Sequence, residues 1–310
     1  MPSYQPSKAD RKTASGKDVP RWTNDDLYKL DEEYAERGIR SHARPMRAAM
    51  DLLGPTFQLG CGSDSEANAI IAAYGRLFPE GVSAWPGAGI GLAASVDRVR
   101  KLTVPVVFGQ CSLKPWEAGF GSVEDWWEWC RKRRDIALAY VFAWADAVDI
   151  AYGLNELGET SAPGQPFWTL AVSNLEDIAN ALPASSSVDT LLQPIHLVIE
   201  LALKGFLVAE GASPTSFYGK GGHDIQALAD RMIKARPHRD DDLVRNLVGK
   251  VPGYTSSRYT PEGLTRLRAV QLALGSQFVA ASCLRRLTSR DAGGDAERHE
   301  SLASRPIMFS

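Results

Sequence analysis

This sequence predicts an all-α fold, a helical bundle preceded by a helical N-terminal region, and three observations carry that prediction. Apolar residues recur at three- and four-residue spacing in successive segments, several segments open on helix-capping residues, and the run from Val123 to Tyr152 contains neither Gly nor Pro. The composition agrees. With 44% hydrophobic residues over 310 positions, the chain can bury a sizeable core and lacks the signature of a disordered polymer. A formal net charge of -2 supplies no global positive field, so contact with nucleic acid would require a local basic patch.

Residues 1–22 are polar and read as a flexible arm without the apolar run of a signal peptide, which goes with a cytoplasmic location. The first helix opens at Asn24 and Asp25 and places Leu27, Leu30 and Tyr34 on one face. A second runs from Ala43 to Leu53, and a third opens at Ser63, whose partner Glu66 completes a capping box. Between Phe78 and Phe120 the pattern is broken by Pro79, Pro86, Pro105 and Pro115, and Thr103 to Phe108 is the one run that suggests a strand. Gly87, Gly89 and Gly91 fail the dinucleotide motif, since Leu92 stands at its third glycine; they read as a loop leading into a helix.

Ser122 caps the helix Val123 to Tyr152, about 30 residues long and thus a candidate spine for the bundle. Its most apolar part, Ile136 to Ala145, is followed by Asp146 and Asp149, so no transmembrane segment is expected. The two aspartates could hold a cation, but pairing with arginines inside the bundle is the simpler expectation. Trp126, Trp127, Arg131, Arg133 and Arg134 form a candidate RNA patch, set against a core face beside a solvated one. Phe167 to Leu182 gives another helix, and the Ala-Ser-rich stretch after it marks a boundary.

From Ile195 to Val208 every residue is apolar or Gly except His196, Glu200 and Lys204, which recur every fourth position. The segment Pro194 to Ala209 is therefore expected to be the most buried helix of the bundle. Gly211 ends it, and after a Gly-rich loop His223 and Asp224 open a helix with Ile225, Leu228, Ala229, Met232 and Ile233 on one face. Asp240 to Asp242 start a short helix. Thr260 and Pro261 then start the last one, with Leu267, Val270, Leu274, Phe278, Ala281 and Leu284 on its inner face.

This order, carried by Glu200, Leu203, Lys204, Leu207, Gly211, His223, Asp224, Leu228, Arg258 and Tyr259, resembles the HEPN family over about a third of the chain, roughly Leu191 to Leu287. The resemblance implies a helical bundle that self-associates and works with RNA or nucleotides, in some members as a defence- or toxin-type ribonuclease. Such ribonucleases carry an Arg followed after roughly four to six residues by a His, and Arg231 with His238 fits that spacing. So does Arg37 with His42, and Pro237 disfavours a shared helical face for the first pair. His196, Glu200, Lys204, His223, Asp224, Arg258 and Tyr259 form a ligand-binding or structural polar set, in which His223 is expected to cap its helix or fix the Gly-rich turn. The rival reading is a non-catalytic helical module that dimerises and binds a ligand or protein.

No cofactor or metal is expected, because Cys61, Cys111, Cys130 and Cys283 stand far apart and read as reduced, mostly buried thiols. The resulting division is an arm (1–22), a helical N-terminal region (23–120), the long helix with its connector (121–186), the HEPN-like domain (187–290) and a flexible tail (291–310).

Overall fold

The structure, a computed structural model, describes residues 22–57, 66–79, 87–107, 114–158, 164–185, 188–219, 221–253, 262–299 and 305–306. Eleven helices and one two-stranded sheet appear among them, so the chain is a helical bundle that also carries a hairpin. It divides into two compact units, Met1–Trp85 and Pro86–Ser310, so the stretch 86–120 goes with the bundle and not with the N-terminal helices. The arm 1–21 lies outside the described residues.

In the first unit α1 (Asn24–Glu36), α2 (Arg44–Leu53) and α3 (Glu66–Leu77) enclose Leu27, Tyr34, Ala48, Ala49, Ile70 and Tyr74. Thr23, one residue before the expected start, caps α1 in a reciprocal box with Asp26. The buried tyrosines keep their hydroxyls paired: Tyr34 donates to Asp51 at 2.8 Å, and Tyr74 donates to Asp31, which also accepts from Arg44 at 2.9 Å. Ser63 lies outside the described residues, and the capping box expected there with it.

The second unit opens with an antiparallel hairpin, β1 (Gly89–Ser95) and β2 (Arg98–Val104), registered from Gly89 opposite Val104 to Ser95 opposite Arg98. This corrects two expectations. The glycine-rich run is a strand and not a loop leading into a helix, and the second strand spans Arg98–Val104, reaching only the first two residues of the expected Thr103 to Phe108. The glycines are there for contact: a Cβ at Gly89 would lie 2.7 Å from that of Ala151, and one at Gly91 2.5 Å from that of Ala147.

The expected 30-residue helix is two helices, α4 (Val123–Trp129) and α5 (Arg134–Leu157). Between them Arg131 and Lys132 adopt φ of 57° and 54°, and their amides close a turn on the carbonyls of Glu128 and Trp127. A left-handed conformation costs a non-glycine residue roughly 1–2 kcal/mol. The turn lets Trp126 fold back to 5.9 Å from Tyr140, a contact that a straight helix would not make.

The bundle continues with α6 (Gln165–Ala181), α7 (Leu192–Ala209), α8 (Ile225–Ala235), α9 (Asp241–Val248), α10 (Arg266–Leu287) and α11 (Ala292–Arg298). Helices α6 and α7 approach closely at Gly205, where a Cβ would sit 2.8 Å from the Trp168 indole. Thr265, whose side chain accepts from the Arg268 amide, caps α10; Thr260 and Pro261, expected in that role, lie outside the described residues. The later start leaves Leu267 42% exposed instead of on the inner face. Every residue from Leu272 to Arg286 is buried, so α10, and not α7, is the most enclosed helix. Its Gln277 hooks the hairpin on: the amide nitrogen donates to the carbonyls of Leu92 (3.2 Å) and Ala143 (2.8 Å), and the amide oxygen accepts from Leu92 N (2.8 Å).

Helix α5, the stretch Asp189–Ala209 and α10 are each long and apolar enough to cross a membrane by length and composition, where none was expected. Between 78% and 83% of their most apolar windows is buried inside the protein, which accounts for that apolarity.

At the centre Arg285, with no side-chain exposure, donates to Asp146 (2.5 Å), Asp149 (2.7 Å) and Asp240 (3.2 Å), the arginine pairing expected for the first two. Burial works to raise the Asp240 carboxyl, but the His238 hydrogen bond and the charges of Arg285 and Arg239 hold it below the usual carboxylate range. The described residues of the expected flexible tail, 291–299 and 305–306, reach this centre. Asp149 accepts the amides of Ala292 (2.7 Å) and Gly293 (3.2 Å), and Arg305, 6% exposed, grips both oxygens of Asp146 at 2.7 and 2.9 Å. Ionic contacts of this kind leave no apolar periodicity in a sequence.

Replacing Arg285 by Leu strands three buried carboxylates, and we expect urea denaturation to report a loss of about 3–5 kcal/mol. Arg305→Ala should cost less, because Asp146 keeps Arg285. An Arg285→Leu midpoint equal to that of the parent would show that the network adds no stability.

Candidate functional site

Four residues of the polar set meet around one carboxylate. Helix α7 is apolar nearly all round, so His196, Glu200 and Lys204 face inward with the rest, their side chains 5%, 3% and 7% exposed. They form a buried seam, not a solvated stripe. Glu200 accepts from Lys204 Nζ at 2.6 Å and lies 3.7 Å from His196 Nε2. A buried carboxylate needs this compensation, since removal from water costs several kcal/mol per ion.

The fourth member arrives from the loop before α8. His223 Nδ1 lies 3.0 and 3.2 Å from the two Glu200 oxygens, while 65% of its side chain faces solvent. A carboxylate oxygen is an acceptor, so Nδ1 is the ring nitrogen that donates to Glu200, and this bond sets the orientation of the imidazole. The expected helix-capping role belongs instead to Asp224, whose Oδ1 accepts from the amides of Gln226 (3.0 Å) and Ala227 (3.1 Å). The bundle thus holds the inner edge of the imidazole and presents the outer edge.

Phe217, 3% exposed, joins this cluster to Arg231. Its ring stands 5.6 Å from Lys204 Nζ and 5.4 Å from the Arg231 guanidinium. Arg231 is exposed, and its guanidinium and the Lys204 ammonium both stand over the buried Phe217 ring.

His238 has other neighbours. Its Nδ1 lies 3.4 Å from Asp240 Oδ2 and 3.2 Å from the Asp240 amide, and its Nε2 lies 3.3 Å from Arg239, so it belongs to the surroundings of Arg285 while Arg231 belongs to Phe217. Pro237 precedes this bend, and α8 has already ended at Ala235. Arg258 and Tyr259 lie outside the described residues, as do Cys61 and Cys111. Cys130 and Cys283 are buried, which pushes their thiols up to about 11 and about 12 and leaves them as unreactive packing groups.

The aromatic-basic patch is only partly open. Trp126 packs against Trp116 and Tyr140, Arg133 pairs with Asp135 at 2.5 Å, and Trp127, 38% exposed, Arg131 and Arg134 face solvent. In the N-terminal unit His42 lines an apolar cavity of about 620 Å³ with Met46, Met50 and Ile71, a setting without chemistry for the Arg37–His42 spacing.

Sequence reading missed Phe217 and the pairing of Glu200 with His223. Glu200 itself was the available signal, because a carboxylate on so apolar a helix needs more than one partner. No family model matches the chain, no curated protein matches it, and no solved structure matches it.

Burial lowers the His196 pKa from its ordinary value, against the pull of Glu200, so the folded protein holds this ring neutral where an unfolded chain would protonate it. The unfolded ring titrates near about 6.5, so the stabilisation is complete above that pH and is lost as pH falls through it toward the folded value, by at most about 1.4 kcal/mol per pH unit. We expect His196→Gln to lose less stability than the parent between pH 7.5 and pH 5.5 in urea titrations. Equal losses would remove His196 as the source.

Proposed function

We propose that this chain is a HEPN-like, RNA- or nucleotide-associated helical protein whose Glu200–His223 pair supplies metal-independent acid–base chemistry to a phosphodiester. One observation carries the reading: an exposed imidazole whose Nδ1 is fixed by a carboxylate that is itself buried. That arrangement selects one tautomer and one orientation, the service a buried acid renders to a catalytic histidine.

In the reaction proposed, His223 Nε2 takes the proton of a ribose 2′-hydroxyl, and the 2′-oxygen attacks the adjacent phosphorus. The bond from phosphorus to the 5′-oxygen breaks, giving a 2′,3′-cyclic phosphate and a 5′-hydroxyl that receives the proton back. Arg231 opposes the charge that gathers on the phosphoryl oxygens. Arg231 thus keeps the role the family resemblance implies, and His223 takes the place given to His238. Exposed Arg131 and Arg134 with Trp127 offer a further contact for the polyanion. Self-association of the bundle, which the resemblance also implies, would bring a second such site alongside.

The test is cleavage of single-stranded RNA in EDTA by the whole chain. We expect His223→Ala to lower the rate by about 100-fold or more and Glu200→Gln to lower it less, with His238→Ala unchanged. Glu200 keeps Lys204 when His223 is removed, so the alanine variant should stay folded, and its melting curve, run beside the assay, separates lost chemistry from lost fold. Cleavage that survives His223→Ala would overturn the assignment. A parent that does not cut RNA at all would favour the non-catalytic module.

A further inference from the structure

The loop that delivers His223 also delivers Tyr218, and Tyr218 is 81% exposed, more than any other large apolar side chain among the described residues. A ring so open is within reach of a flat partner from solvent. Its position is also fixed. Tyr218 follows the 3-10 turn Pro214–Phe217, and its amide donates to the carbonyl of Thr215 at 3.1 Å. Gly222, the residue before His223, lies flush against the carbonyl of Phe217, the residue before Tyr218: a Cβ there would fall 1.8 Å from that oxygen. The two backbones touch one residue before each exposed side chain, so Tyr218 and His223 leave the surface from neighbouring points. Gly219 and Gly221, at φ of 96° and 95°, supply the left-handed turns that bring the chain back. Beneath them Phe217 carries the Arg231 guanidinium on its ring.

We propose that Tyr218 is a stacking platform for an unpaired nucleobase whose phosphate lies at His223 and Arg231, an inference that rests on the function proposed above. A flat ring held out in solvent, on a backbone that touches the one carrying His223 and next in sequence to the Phe217 ring that carries Arg231, suits a base followed by its phosphodiester. Stacking on an aromatic ring accepts any base and requires only that the base be out of a duplex. The ligand class is therefore single-stranded RNA or an unpaired loop, with Tyr218 acting as a positioning residue and not a catalytic one.

Binding can be measured without cleavage by using a short fluorescein-labelled 2′-O-methyl RNA, which has no 2′-hydroxyl to react, and following anisotropy with the full chain. The single strand should bind about fivefold or more tightly than a duplex of the same sequence. Tyr218→Ala should weaken single-strand binding by about fivefold or more, and Tyr218→Trp should restore it to within about twofold of the parent. Parent-like binding by Tyr218→Ala, or equal affinity for the duplex, would overturn the stacking role and leave the proposed RNA association intact. Absence of binding by the parent to either probe would overturn the proposed function and this inference with it.

Discussion

Arg285 lies in the last turn of α10 without solvent contact, facing Asp146 and Asp149 of α5 and Asp240 at the start of α9. Burying these four charges is expensive, and mutual attraction repays the cost only when nearly every donor and acceptor is satisfied. That requirement fixes much else. Asp149 has lone pairs beyond those Arg285 uses, so the first amides of α11 dock on it. Asp146 likewise takes Arg305, which is sandwiched 4.8 Å from Phe142 and 4.7 Å from Phe278. Even Gly293 follows, because a Cβ there would fall 2.5 Å from the Arg285 guanidinium. Two central helices, a short one and a distant piece of chain are thereby held in one arrangement, which apolar packing alone, being non-directional, would specify less sharply.

Much of the helical order was legible because an amphipathic helix writes its period into the sequence. Helices α2 and α6 begin and end within a residue or two of expectation, and α8 and α9 begin so. The hairpin was not legible, for two physical reasons. Six of the seven residues of β1 are buried, so it lacks the polar-apolar alternation that marks a strand with one wet face. Its turn places Val96 at φ 62°, a conformation ordinarily signalled by Gly or Asn. The break between α4 and α5 was hidden in the same way, since Arg131 and Lys132 occupy left-handed positions without a helix breaker. In both places tertiary contacts overrode the local preference.

The candidate site was half legible. The four-residue spacing of His196, Glu200 and Lys204 announced one stripe on one helix, and their convergence follows from helix geometry. What the stripe could not announce was His223, 23 positions from Glu200 and joined to it only through the fold. The Arg285 centre was legible from one side. Asp146 and Asp149 on an apolar helix called for arginines, but nothing local says that the partners come from positions 285 and 305.

The two buried ionic centres are built alike and differ in one respect that decides what each can do. In the first, Arg285 is wholly enclosed and Asp146, Asp149 and Asp240 are no more than 5% exposed, so the guanidinium has no open edge to offer a bound molecule. It serves architecture. In the second, the carboxylate is just as buried, but one of its partners, His223, extends from it to solvent. Glu200 and Lys204 are satisfied from within, which leaves the imidazole oriented before any ligand arrives. Pre-set orientation spares the ligand the entropic cost of ordering the ring. Chemistry on a bound molecule needs a group that is both fixed and reachable, and between the two centres only the one at Glu200 provides it.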